Sequence, residues 1–448
     1  MATTTAGDHA AYDSHDATLA RATRRVARRL TPFLALLYLV NYLDRTNIGF
    51  AGPNGMNDEL GLTAKAFGFA AGVFFIGYLL LEVPSNMALH RFGARRWIAR
   101  ILVTWGIVAA AMAFVPNAGW LVALRFLLGV AEAGFFPGII LYLTFWFPQR
   151  DRARMTALFM AAIPLSSAIG APLSSLLIDY GHGLFGMSGW RTMFLFEGIP
   201  AILLGVVTWF FLTDRPQDAA WLPDDERDAL VRALDEDDAE KARYHVSIRQ
   251  SLTRPRVWAL AFVYFGIVYG LYALGFFLPT IIKGFEKQFG TSYTLLERGL
   301  INAIPYAVGA VAMLLWARHG DRTGERTWHV ALPAIIGGAA IPVALYLGSP
   351  VTAMVAVTVC AVGVMCALPT FWALPTAFLT GAAAASGIAL VNSVGNTAGF
   401  AAPYITGWLA DLTGSQKTGL WVVGAAMVAA GVLAVALRSP SRVGDAAP

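Results

Sequence analysis

Four ionisable residues stand inside stretches of the sequence that are otherwise apolar. Asp44 and Arg45 are adjacent in "YLVNYLDRTNIGFAG", and Arg125 and Glu132 are seven apart in "ALRFLLGVAEAGFFPG". Arginine stays charged in any protein environment and must face an anion. A carboxyl can be neutralised: burial favours its protonated form, a neighbouring guanidinium favours the charged one, and the balance depends on what else occupies the arginine. An organic anion held by Arg45 and Arg125 would compete for those cations and favour protonation of Asp44 and Glu132. In chemical terms that is proton–anion cotransport. Seven residues make about two helical turns, roughly 10 Å, so Arg125 and Glu132 are expected on one face, with Gly129 between them leaving room for a common cavity. The bland alternative is a set of permanent ion pairs bracing a bundle. Buried pairs are weak evidence for stability, whereas ionisable groups inside a membrane are functional by default.

The elements that must position these groups follow from composition. Of the 448 residues, 57% are hydrophobic and 14% are charged, and the mean hydropathy is +0.59, which excludes an ordinary water-soluble chain. About twelve apolar runs, each long enough to span about 30 Å of hydrocarbon, lie near residues 31–52, 67–89, 97–115, 119–146, 153–179, 191–213, 256–282, 299–317, 328–348, 351–379, 385–410 and 418–437. The expected fold is an all-α integral membrane protein with twelve transmembrane helices in two six-helix domains. The basic residues gather on alternate short loops (Arg91, Arg95 and Arg96; Arg150, Arg152 and Arg154; Arg318, Arg322 and Arg326). That is a positive-inside pattern rather than a nucleic-acid surface, and it puts both termini in the cytoplasm. Lys283, Lys287 and Arg298 are an exception. The first thirty residues lack the apolar core of a signal peptide and end in the basic run "RATRRVARRL".

The divisions expected are a basic cytoplasmic tail over 1–30, a six-helix domain over 31–213, a polar cytoplasmic linker over 214–255 containing a surface helix, a second six-helix domain over 256–437 and a tail over 438–448. The halves resemble each other. Arg91 and Gly93 of "HRFGARR" align with Arg322 and Gly324 of "DRTGER", and Pro172 aligns with Pro403, all at an offset of 231 (322 − 91 and 403 − 172). Transporters built by such duplication bind substrate between their halves near the midplane. The offset sets Gly275, Phe276, Ala356 and Gly363 against the four charges, so the charges were not kept in duplicate. Residues 330–410 carry no charged side chain; their polar groups are neutral and include Trp372, Thr376, Asn392, Ser393, Asn396 and Tyr404.

Among other candidates, Tyr42 and Tyr78 could hydrogen-bond a polar substrate or simply pack. Asn392 could do the same or join helices, as could Asn396. Glu82 and Glu197 lie nearer span ends and are expected to pair with loop arginines. Cys360 and Cys366, six apart in one span, are out of disulfide reach and read as packing residues. No histidine pair has metal-ligand spacing and no nucleophile–base cluster appears, so neither a metal, a cofactor nor an enzyme is expected.

Together, "NYLDRTNIGFA", "EVPSNMALHRFGARRW", "RFLLGVAEAGFFPG", "FWALPTAFLTG" and "GIALVNSVGNTAGF" resemble the major facilitator superfamily, and within it the anion:cation symporter branch that includes bacterial permeases for tartrate, sugar acids and hydroxyphenylacetate. The resemblance runs from about Thr31 to Leu437. It implies two six-helix domains rocking about a central site. It makes Asp44 and Glu132 proton sites, Arg45 and Arg125 the carboxylate-binding cations, and Tyr42, Tyr78, Trp372 and Asn392 pocket residues. It also assigns Arg91, Gly93, Arg95, Asp321, Arg322, Gly324 and Arg326 to a cytoplasmic gating motif, in whose first copy His90 replaces the usual acid. It implies a functional monomer in the cell inner (plasma) membrane.

The leading expectation is proton-coupled uptake of a small organic anion, a hydroxylated carboxylate such as tartrate or a sugar acid. The alternatives are an aromatic-carboxylate importer, a proton-coupled efflux antiporter, for which "AIGAPLSS" lacks the closing glycines of drug exporters, a non-transporting anion sensor, and an integral membrane enzyme.

Overall fold

The computed structural model of the chain describes residues 6–242, 254–376 and 381–438; parts of the linker expected over 214–255 and of both tails lie outside these. The described residues are overwhelmingly helical, with no β-strand among them. In hydrocarbon, water cannot satisfy backbone groups, and a helix satisfies them internally. Ten helices are long and apolar enough to cross a membrane among the described residues. The chain divides into two compact units, Met1–Gly61 with Val73–His245, and Leu62–Gly72 with Val246–Pro448.

The first unit contains α1 (Ala6–Thr46), α2 (Ile48–Ala51), α3 (Met56–Leu60), most of α4 (Ala64–Phe92), α5 (Ala94–Ala111), α6 (Ala118–Glu132), α7 (Phe135–Trp146), α8 (Gln149–Met160), α9 (Ala162–Tyr180), α10 (Gly189–Phe211) and α11 (Asp224–Ala242). The first of the twelve expected spans is the later part of α1, which runs unbroken from the basic stretch through Pro32. One span is interrupted directly after Glu132, where Ala133 leaves helical geometry and Gly134 takes φ +83°. Helices α4 and α6 meet backbone to backbone: a Cβ on Gly129 would sit 1.9 Å from the Phe74 carbonyl oxygen, and one on Gly77 2.4 Å from that of Phe126. The space directly beside Gly129 is filled by α4. Small residues at helix crossings let backbones approach in this way.

The linker does hold a helix, α11, opened by acids after Pro223, as suits the positive end of a helix dipole. It is docked rather than free. Arg25 of α1 grips Glu226 with Nε and Nη2 at 2.7 and 3.0 Å, Arg152 of α8 lies 3.2 Å from Asp237, and Ala229 and Leu230 are buried beneath. On the loops of the other end, Glu59 of α3 accepts hydrogen bonds from Ser188 (2.8 Å), Trp190 (2.6 Å) and Arg191 (2.9 Å).

The second unit contains α12 (Pro255–Phe289), α13 (Leu295–Thr323), α14 (Thr327–Ala344), α15 (Pro350–Phe371), α16 (Ala373–Thr376), α17 (Gly381–Asn396), α18 (Ala398–Thr413) and α19 (Gln416–Ala436). The remaining expected span is α17 with α18, two pieces separated at Thr397 and each shorter than a full crossing. Helix α12 is buried along most of its length. The first turns of α4 belong to this unit, where Asp411 of α18 accepts the free backbone N–H groups of Ala64 and Lys65 at 3.1 and 3.0 Å. The duplicated sequence features have matching local geometry. Gly93 and Gly324 both end a helix at positive φ, +87° and +67°, and Pro172 and Pro403 both lie inside helices.

Two outcomes follow for stability. Gly129→Ala forces α4 and α6 apart and should cost about 2 kcal/mol or more, read as a lowered melting midpoint in detergent; an unchanged midpoint contradicts the close crossing. For Glu59, partial burial opposes ionisation, but the Ser188, Trp190 and Arg191 hydrogen bonds outweigh it and hold the carboxyl below its ordinary range. A depressed folded-state pKa gives stability that is present above the unfolded value and lost as pH falls through the folded one. Glu59→Gln should therefore lower the midpoint at neutral pH, with the difference closing in acid. An equal deficit at every pH would rule out the charge as its source.

Candidate functional site

The first unit gathers all four intramembrane charges. Asp44, Arg125 and Glu132 expose no surface, and Arg45 exposes 6%. Arg45, at the end of α1, forms an ion pair with Glu132, at the end of α6; the guanidinium donates through Nε at 3.1 Å and through Nη2 to the same Oε1. Glu132 Oε2 has no hydrogen-bond partner among the described residues. The pairing thus runs between α1 and α6. The interruption at Ala133 and Gly134 directly follows Glu132, freeing the chain there from continuous helix.

Aromatic faces line the cations. Arg45 lies 5.2 Å from the ring centre of Phe74 and 5.3 Å from that of Tyr78, and Arg125 lies 5.3 Å from Phe74. An arginine close to a ring is attracted by its negative face, and more so where water is absent. One ring of α4 therefore serves two guanidinium groups, at the turn where α6 crosses. Tyr42 and Tyr78 are both buried, Tyr78 within this aromatic wall and Tyr42 beside Tyr38, with ring centres 6.4 Å apart.

Asp44 points elsewhere. Trp105 Nε1 of α5 donates to its Oδ2 at 2.7 Å, and Asn47 Nδ2 lies 3.5 Å from its Oδ1. The two carboxyls that sequence reasoning grouped therefore have different hydrogen-bond partners, Glu132 a cation and Asp44 an indole and an amide, although Arg125 and Glu132 both lie near enough to Asp44 to act on it electrostatically. Glu197 corrects the sequence expectation. It is 2% exposed on α10 and, instead of meeting a loop arginine, accepts hydrogen bonds from Asn47 (2.9 Å) and Ser174 (2.6 Å). Its apolar run begins near 191, but Trp190, Met193 and Phe194 are buried around it, so nearness to the end of the run did not mean nearness to water. Glu82, on α4, is buried as well.

The second unit supplies neutral groups. Trp372 interrupts the helix between α15 and α16 and is half-buried against Tyr264, with ring centres 4.8 Å apart, and against Phe371. Asn392 is half-buried on α17, while the side chain of Thr376 lies outside the described residues. Cys360 and Cys366 are buried free thiols.

In "HRFGARR", the first copy of the repeated loop motif, Gly93 turns the chain at φ +87° between α4 and α5, and the backbone N–H of Arg95 donates to Asp214 Oδ1 at 2.8 Å. A Cβ on Gly93 would meet that carboxylate at 2.9 Å. Asp214, beyond α10 and unremarked in the sequence, thus brings an acid to a motif in which His90 takes the acid's place. Arg91 is exposed, its guanidinium 5.6 Å from the Phe92 ring centre. In the second copy Asp321, Arg322 and Gly324 are exposed, and Arg326 donates to the Ala373 carbonyl at 3.3 Å. Sequence reasoning also missed an imidazole pair ten residues apart: His319 Nδ1 lies 2.8 Å from His329 Nε2, and His329 Nδ1 lies 3.3 Å from Glu325. The turn at Gly324 brings them together, which sequence spacing alone does not reveal.

A polytopic helical bundle that buries arginines against carboxyls and aromatic rings defines a membrane transport protein. The chain belongs to the Major Facilitator Superfamily, whose family model matches residues 34–403. It is 49% identical over 430 residues, 96% of this chain and 98% of the other, to an Agrobacterium vitis protein named "Putative tartrate transporter". It is 39% identical over 406 residues, 90% and 92% of the two chains, to a quinolone resistance transporter of Acinetobacter baumannii. The fold is similar to that of a D-xylose–proton symporter, with a TM-score of 0.67 at 18% identity over 91% of this chain and 96% of that one. The family and these relatives are transporters, not enzymes, and the tartrate relative accords with the anion:cation symporter resemblance.

The Arg45–Glu132 pair has a direct test. Removing one partner of a buried pair leaves an uncompensated charge and costs about 3–5 kcal/mol, whereas replacing both with apolar residues is often near neutral. Arg45→Met should lower the melting midpoint sharply and Arg45→Met/Glu132→Leu should recover most of the loss. Equal losses in the two would show that the side chains do not act as a pair.

Proposed function

We propose that this protein imports a small organic anion together with protons by alternating access, and that a hydroxylated dicarboxylate of the tartrate class is its substrate. The observation that supports the reading best is the buried Arg45–Glu132 pair with Glu132 Oε2 left unpartnered. A substrate carboxylate that takes Arg45 deprives Glu132 of its counter-charge. An uncompensated buried carboxylate is costly, so Glu132 takes a proton and the pair is replaced by an arginine–substrate contact and a neutral acid. Release of substrate restores the pair and expels the proton. Binding of anion and proton are then linked and must favour each other reciprocally. Arg125 is the second cation of this scheme and Asp44 the second proton site.

Trp372 and Asn392, with Tyr42 and Tyr78, shape the pocket for a hydroxylated acid: an aromatic face and neutral hydrogen-bonding groups select among anions that the arginines alone would accept. The six-helix halves, 31–213 and 256–437, are the moving bodies, with Arg91, Gly93, Arg95, Asp321, Arg322, Gly324 and Arg326 at the cytoplasmic gate. The basic loops support cytoplasmic termini and a place in the cell membrane as a functional monomer. The similarity to tartrate and quinolone resistance transporters leaves export as the second reading, favoured only by the name of the latter relative.

Glu132→Gln should abolish gradient-driven accumulation of labelled tartrate in proteoliposomes while preserving exchange of labelled for unlabelled tartrate, because the uncharged side chain mimics the protonated acid. Accumulation that survives and still responds to an inward proton gradient would remove Glu132 from the coupling. Quinolone extrusion without tartrate uptake would favour export.

A further inference from the structure

We propose that Glu197 is a further proton-binding carboxyl, coupled to Asp44 through the side-chain amide of Asn47. The inference rests on the transport reading only for its place in a cycle. Asn47 follows α1 and is 2% exposed. Its Nδ2 donates to Glu197 Oε2 at 2.9 Å and lies 3.5 Å from Asp44 Oδ1. One amide nitrogen thus touches two buried carboxyls. Ser174 Oγ donates to the other Glu197 oxygen and Trp105 Nε1 to the other Asp44 oxygen, so all four carboxyl oxygens face neutral donors.

Around Glu197, α1 brings Asp44, Asn47 directly follows α1, α9 brings Ser174, α5 meets the adjacent Gly198 with the backbone of Gly106 and Ala110, and α2 brings buried apolar residues. Asp44 is the charged group facing it, with Arg125 and Glu132 acting on Asp44 from α6 in turn, and no arginine or lysine forms an ion pair with Glu197 among the described residues. Two carboxylates so placed cannot both be ionised without like-charge repulsion added to desolvation. The pair holds a proton and titrates as a unit.

Asn47 can serve both protonation states. Its Oδ1 is buried with no hydrogen-bond partner among the described residues. A carboxylate takes the amide N–H, whereas a protonated carboxyl has an O–H to give, and a half turn of the amide presents Oδ1 to accept it. The proton sits on one carboxyl at a time: loss of the Oδ–H proton from Asp44 and gain of an Oε–H proton by Glu197 moves the negative charge from Glu197 to Asp44, while the amide turns to match and keeps its own N–H bonds. A permanently neutral Glu197, serving only to join α1, α9 and α10, is the alternative.

Infrared difference spectra of the reconstituted full-length chain, taken while pH is stepped from mildly acidic to mildly alkaline, separate the two. The protonated-carboxyl band of the wild type should lose one titrating component in Glu197→Gln, which keeps the shape of the neutral acid. Ser174→Ala removes a donor to the charged form and should move that component toward alkaline pH by about one unit. Asp44→Asn removes the like charge and should move it toward acid. Superimposable wild-type and Glu197→Gln spectra overturn the inference. If Glu197→Gln does not assemble, a component unmoved in both other variants overturns it instead. Failure of the transport reading is distinct: a wild type that shows these spectra but moves no proton when tartrate is added refutes coupled uptake and leaves the Glu197 proton site standing.

Discussion

The Arg45–Glu132 pair is the interaction on which the first unit's organisation depends. It joins the end of α1 to the end of α6, with both residues buried. Removing a carboxylate and a guanidinium from water costs several kcal/mol per ion, and mutual attraction offsets this only in good geometry. The chain meets that demand with local features. Gly129 lets α6 approach α4 closely, Phe74 of α4 offers its ring to both arginines, and α6 ends directly after Glu132.

The charges of the first unit form two groups with different chemistry. Arg45 and Glu132 form a buried ion pair. Asp44, Asn47 and Glu197 are a chain of neutral donors and paired carboxyls with no cation of their own among the hydrogen bonds they make. The second unit contributes half-buried Trp372 and Asn392 and no charge over 330–410.

Much of this is legible in the sequence because charge in an apolar run is conspicuous. Asp44, Arg45, Arg125 and Glu132 announce themselves, and twelve runs of spanning length give the fold. What spacing could not supply is the partner of each charge. The seven-residue interval puts Arg125 and Glu132 on one helix face, but the contacts each makes across helices are set by the crossing at Gly129 and by Phe74, which no intrahelical period encodes. Glu197 was misread for a related reason: depth was inferred from distance to the end of its run, whereas Trp190 and the loop held by Glu59 cover that end. Asp214 and the His319–His329 contact were missed because turns at Gly93 and Gly324 bring them to their partners. The linker helix was legible from its acids and Pro223, but its docking through Arg25 and Arg152 was not.

The central claim is that anion and proton move together, and one measurement meets it directly. Proteoliposomes holding the wild-type protein and a trapped pH-sensitive dye are given external tartrate with no imposed proton gradient, and labelled tartrate entry is followed in parallel. The account predicts that the interior acidifies in proportion to the tartrate that enters, and that protein-free vesicles do neither. Tartrate entering through the protein at constant internal pH would contradict it.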